Sequence, residues 1–230
     1  MASACSIPKR EVEESIRETG VYSLEDLQVG AEIAKFSEMG LPTKTPYGLE
    51  FCAKNSLDNQ DIRKIIESIL DRPRWGCIKI YSDKLPSDQA LFFHNPSSYL
   101  EEPAAPALLV RLCSPGSRIV YYKGSHIQNI SPIELEGWGL LALPRVEMKK
   151  EGIIEKEVPM KNGGFRLGFT VLEGFCVNVG FASESEVRFW AKMELPDTEA
   201  VKAKADELKL RGFNINISFV GEKARAASME

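Results

Sequence analysis

The sequence is short of histidine: His94 and His126 are the only two in 230 residues. Two imidazoles leave little room for a catalytic triad, and no Gly-x-Ser-x-Gly elbow marks a nucleophile. The five cysteines, Cys5, Cys52, Cys77, Cys113 and Cys176, are widely spaced and form no Cys-x-x-Cys pair. That excludes a clustered zinc site and reads as buried free thiols in a reducing compartment. Long apolar runs are missing, so no membrane span is expected. The N-terminal MASACSIPKREVEES contains no apolar leader core, so the cytoplasm is the expected location. A net charge of -4 with no basic stripe gives no attraction to nucleic acid. Asn162-Gly163-Gly164-Phe165 is a turn, because no phosphate-loop pattern follows a strand into a helix. Internal repeats and low-complexity tracts are absent too.

What is there is ordinary soluble protein, 43% hydrophobic and 27% charged. The length suits one domain and is enough to bury a core. We expect a single domain over 1–220, with a helical N-terminal part, and a polar, disordered tail over 221–230. Helices are predicted over 8–19, 23–28, 58–71 and 197–210. The third is the clearest, with Ile62, Ile65, Ile66, Ile69 and Leu70 at helical spacing and Asp58 or Asn59 as cap. A strand is predicted at 49–53. From 76 to 193 the texture is short apolar runs punctuated by Gly, Pro, Asn and Ser, the pattern of antiparallel sheets in a sandwich or barrel. The last of these runs is placed at 186–193, and a half-buried strand follows at 213–220.

One stretch stands out, Leu108 to His126. Two runs rich in Val, Ile, Leu and Tyr flank Ser114-Pro115-Gly116-Ser117, which predicts a hairpin. It delivers Lys123-Gly124-Ser125-His126 at its far end.

Tyr122-Lys123-Gly124-Ser125-His126, followed by Asn162-Gly163-Gly164, resembles the phytanoyl-CoA dioxygenase-like branch of the non-haem iron, 2-oxoglutarate-dependent oxygenases. The resemblance covers roughly residues 75–193. It implies an α+β protein with a double-stranded β-helix (jelly roll, cupin-like) core, N-terminal helices and one C-terminal helix. It also implies iron held by a His-x-Asp pair and a distal histidine, with an arginine on a later strand holding 2-oxoglutarate. Here the first ligand would be His94, but Pro96 stands where the carboxylate belongs. The region 170–176, where the distal histidine belongs, has none. His94, His126 and a carboxylate such as Glu173 would also suit iron, but they show no tight local pattern. His94 and Arg188 are therefore read as vestigial metal and oxoglutarate positions. Glu101, Glu102 and Asp83 sit among Pro and Ser and read as solvated loop carboxylates.

No catalytic, cofactor or metal residue is expected in this chain. The expected role is a non-catalytic partner subunit, similar to the metal-free member of fungal heterodimers that oxidise meroterpenoids, with iron(II) and 2-oxoglutarate held by a homologous oxygenase subunit. A metal-free cyclase or isomerase, or a small-ligand binding protein, are the alternatives on the same fold. Contact material is sought in Ile127–Leu143, which carries Ile130, Ile133, Leu135, Trp138, Leu140 and Leu141. The same residues would serve equally as a strand of the chain's own core.

Overall fold

A computed structural model describes residues 8–81, 89–92, 107–128, 133–135, 140–168, 172–173, 176–187 and 192–221. Helix α1 (Lys9–Thr19) buries Val12 and Ile16 and is closed by Gly20, whose N–H donates to the Ile16 carbonyl at 2.9 Å. Strand β1 (Val21–Glu25) replaces the helix expected over 23–28. The cap of the helix that follows is Asp26. Its carboxylate accepts from the Gln28 and Val29 amides at 2.9 and 3.0 Å and opens α2 (Leu27–Glu38). Helix α3 (Pro46–Lys54) stands where a strand was expected at 49–53. Thr45 caps it through the Gly48 amide, and Pro46 is pre-set for a first helical turn. Helix α4 (Gln60–Ile69) starts at Asn59, as its isoleucine spacing predicts, and buries Ile62, Ile65 and Ile66.

The strands follow: β2 (Arg74–Tyr81), β3 (Gln89–Phe92), β4 (Ala107–Cys113), β5 (Ser117–Lys123), β6 (Ile133–Leu135), β7 (Leu140–Pro144), β8 (Ile154–Met160), β9 (Gly164–Gly168), β10 (Leu172–Glu173) and β11 (Cys176–Ala182). A short helix α5 (Glu184–Val187) comes next, then β12 (Met193–Pro196), α6 (Glu199–Leu210) and β13 (Ile217–Val220). Of the strand expected over 186–193, Glu186 and Val187 are helical and Met193 opens β12, while 188–191 lie outside the described residues. Strands β12 and β13 pair in parallel.

The chain builds a five-stranded sheet ordered β1-β9-β4-β11-β2 and a six-stranded sheet ordered β6-β7-β3-β10-β5-β8. Every pairing within these two sheets is antiparallel. Strands β2, β4, β9 and β11 lie in the first, and β3, β5, β8 and β10 in the second. The chain therefore crosses between the sheets repeatedly.

This alternation corrects the expected hairpin. Strands β4 and β5 do not pair with each other. Strand β4 lies between β9 and β11, and β5 between β10 and β8. The turn at 114–117 is a corner from one sheet to the other. It is clamped to a second corner, where the Gly116 amide donates to the Met160 carbonyl at 2.9 Å. At that second corner a Cβ on Gly163 would meet Cys113 O and Gly30 Cα, each at 2.6 Å, and its φ is +72°. Only glycine fits both the space and the backbone there.

One face of the first sheet carries the main core. Leu108, Val110, Leu112, Phe165, Leu167, Val177, Val179 and Phe181 pack with buried side chains of α1 to α4 and α6. The period-two alternation of a strand sends the intervening residues to the opposite face, toward the second sheet.

Candidate functional site

His94, Pro96, Arg188, Ile130 and Trp138 lie outside the described residues. So do Asp83, Glu101 and Glu102. The backbones of Ile133, Leu135, Leu140 and Leu141 form an antiparallel hairpin, β6 with β7, pairing Leu135 with Leu140 and Glu134 with Leu141. The described strands of this stretch lie at one edge of the second sheet.

His126 lies in a single 3-10 turn, Ser125–Ile127, at the end of β5. Its Nε2 sits 3.0 Å from the Arg17 carbonyl at the end of α1. A carbonyl only accepts, so Nε2 carries the proton. Burial holds the imidazole below its ordinary pKa, partly offset by that hydrogen bond. Gly124 makes the turn possible, because a Cβ there would meet the Gly152 carbonyl at 2.3 Å. The Gly-Ser-His segment is thus a tie between the helical layer and the second sheet.

Iron sites of the facial-triad type use two histidines and one carboxylate. Among the described residues no group of three His, Cys, Asp or Glu side chains is placed to hold a metal. The donors described do not fit that set.

The polar chemistry lies elsewhere, on the inner face of the first sheet. Register places Arg111 of β4 opposite Arg166 of β9, and Asn178 of β11 opposite Arg111 on its other side. All three are buried, with Arg166 0% and Arg111 1% exposed. Like charges directly opposite on paired strands are destabilising, and burial of a guanidinium adds to the cost. Arg111 and Asn178 make interactions of their own. Arg166 is poorly served. Its Nη2 lies 3.5 Å from the Val158 carbonyl and 3.8 Å from Met160 Sδ, both on β8. Its Cζ sits 5.5 Å from the centre of the Tyr121 ring on β5. Nε and Nη1 of Arg166 have no hydrogen-bond partner.

Among the described residues, the titratable groups that act on Arg166 are Cys113, Cys176 and Tyr121, and none is a carboxylate. Burial lowers the pKa of Arg166, although an arginine stays charged at any physiological pH. Burial also pushes both thiols up, overriding the pull of the two arginines, so they are neutral and supply no counter-charge. They are not activated nucleophiles either. Cys52, Cys77, Cys113 and Cys176 are buried and form no disulfide, as their spacing predicts, and Cys5 lies outside the described residues.

Sequence reasoning missed this pair. The available signal was an arginine inside each of two short apolar runs, Leu-Val-Arg-Leu-Cys and Gly-Phe-Arg-Leu-Gly. In a strand buried on both faces, such an arginine has no route to solvent.

No family model matches the chain, and no curated protein matches it. Among solved structures it is similar to the non-heme alpha-ketoglutarate-dependent epimerase SnoN from nogalamycin biosynthesis, at 12% identity and a TM-score of 0.48, over 76% of this chain and 83% of that one. It is also similar to HygX from Streptomyces hygroscopicus with iron bound, at 15% identity and a TM-score of 0.47, over 90% and 95% of the two chains. HygX with nickel, 2-oxoglutarate and hygromycin B bound gives 14% identity and a TM-score of 0.44, over 85% and 94%. No helix in the described residues is long and apolar enough to cross a membrane.

Proposed function

We propose that this chain is a jelly roll of the non-haem-oxygenase type that carries no iron and acts as the partner subunit of an iron-bearing homologue. The strand order supports the jelly roll. Setting aside β1, β6 and β7 leaves eight strands, and numbering them in chain order gives 1-8-3-6 in one sheet and 2-7-4-5 in the other. That interleaving is what two Greek keys wound together produce. In this order His94 falls just after the second strand, and β10, the seventh, follows the stretch 169–171, which has no histidine.

The observation that carries the metal-free reading is the donor set itself: the chain has two histidines, Pro96 stands where the carboxylate after His94 belongs, and 170–176 has no histidine. A chain that keeps this scaffold without the metal has a physical task left, which is to cover and order a related chain. The partner would hold iron(II) and 2-oxoglutarate, and the pair would oxidise a meroterpenoid-type natural product in a fungus. The edge hairpin β6–β7 is the contact surface in this reading. Ile127, at the entry to that stretch, stands 70% exposed. A stable pair should bury more than about 1,000 Å² with an apolar centre.

The test is co-expression with an iron-bearing homologue from the same gene neighbourhood. The two chains co-purify, and elemental analysis finds iron in the pair but none in this chain alone. One equivalent of iron in the isolated chain, or a chain that elutes alone beside every such homologue, removes the reading.

A further inference from the structure

The charge inside the sandwich calls for a ligand of its own. Arg166 is wholly buried, and two of its nitrogens bond to nothing. It faces a second buried guanidinium across one strand pairing. Several side chains beside the pair on this face are small, with Leu109 of β4 the larger buried neighbour. Cys113 and Cys176 flank it, and Gly168 and Gly180 are on the same face of β9 and β11. A neutral thiol cannot balance a guanidinium, and a methionine sulfur and an aromatic ring answer it only weakly.

We propose that Arg166, with Arg111 beside it, forms an internal binding site for a small organic carboxylate between the two sheets. The site goes beyond the partner-subunit reading and does not depend on it. A carboxylate matches the planar fork of a guanidinium and takes two parallel hydrogen bonds from it. The two forks of Arg166 are its Nε–Nη2 and Nη1–Nη2 edges; Nε and Nη1 have no partner, and Nη2 has only the long contacts to Val158 O and Met160 Sδ, so either edge can take a carboxylate. Asn178 lies across Arg111 on the same face and adds a polar group to the far side of the site. The position differs from the one that the family resemblance assigns to an oxoglutarate-binding arginine, since Arg188 comes after β11 and these two residues are on β4 and β9.

Calorimetric titration of the full chain with succinate, with neutral succinamide as control, tests this. Saturable binding of one succinate per chain and none of succinamide is expected. Arg166→Met should weaken succinate binding about 10–100-fold, the worth of a charge-assisted hydrogen bond or two. Arg166→Lys keeps the charge but not the fork, and should fall between wild type and Met. No succinate binding by the wild-type chain overturns the proposal without any variant having to fold. Equal binding of succinamide, tighter binding of inorganic phosphate, or undiminished affinity in a folded Arg166→Met chain overturns it as well.

Discussion

Phe165 and Arg166 are neighbours on β9 and face opposite sides of one sheet. Phe165 enters the apolar layer beneath the helices, where its neighbours are other buried hydrocarbon side chains. Arg166 enters the space between the sheets, among thiols, a tyrosine and another arginine. Both are fully buried. The two faces therefore do different work. The helix-facing side gains stability in proportion to the area it hides. The inner side spends stability by hiding charge, a cost that the proposed carboxylate would offset.

The comparison is sharpest at these two residues. Phe165→Ala should cost about 3–5 kcal/mol in urea denaturation, because it leaves a cavity in a packed layer. Arg166→Met, in ligand-free buffer, should leave stability unchanged or raise it by about 1–4 kcal/mol, the range for replacing buried ions with apolar groups of like volume. If Arg166→Met is destabilised as much as Phe165→Ala, the two faces are held by the same kind of packing and the contrast fails.

The corners that join the faces come next. Gly163→Ala would push a methyl group into Cys113 O and Gly30 Cα at a positive φ. We expect a loss of about 1–3 kcal/mol. Its helical counterpart Gly30 meets Asn162 O from the other side, so Gly30→Ala should cost a similar amount. The pair should be less than additive, because both changes separate the same two backbones. Full additivity in a double-mutant cycle would show that the corner and α2 do not share that contact.

How much of this was legible follows from the range of the forces involved. Helix α4 was readable because its isoleucines repeat at 3.6 residues and Asn59 caps it locally. The short apolar run Leu49–Ala53 was misread as a strand, since five residues carry no decisive period and the deciding signal, Thr45-Pro46, lies just upstream. Strand β1 was missed because its partner is β9, more than a hundred residues away. The hairpin over 108–126 had the right strands and the right turn. The partners were wrong, because register in a sandwich is set by distant strands. The site was the least legible part. His94 and Arg188 came from a motif, whereas Arg111 and Arg166 depend on both faces of β4 and β9 being covered, which is a tertiary fact.

His126 makes a smaller, third case, and it tests whether the buried charge at Arg166 is special. A histidine, unlike an arginine, can shed its charge on burial, and this one donates from Nε2 to the Arg17 carbonyl in the neutral form. Its folded pKa lies below the ordinary value of 6.5. As pH falls through 6.5, the unfolded chain takes up a proton that the folded chain resists. The contribution of His126 is therefore complete above that value and is lost progressively down to the folded pKa, below which it no longer changes. His126→Gln keeps an amide donor for Arg17 but cannot titrate. Urea midpoints between about pH 7.5 and pH 5 should fall for the wild type more than for the variant. His94 is common to both, so the difference belongs to His126. Glu32 and Glu50 do not confuse the window, since ion-paired hydrogen bonds hold both below 4.5. Parallel pH profiles for the two proteins would mean that the imidazole is not held neutral by the fold. Arg166 would then be one instance of a fold that tolerates buried cations in general, and the argument for a ligand there would lose its force.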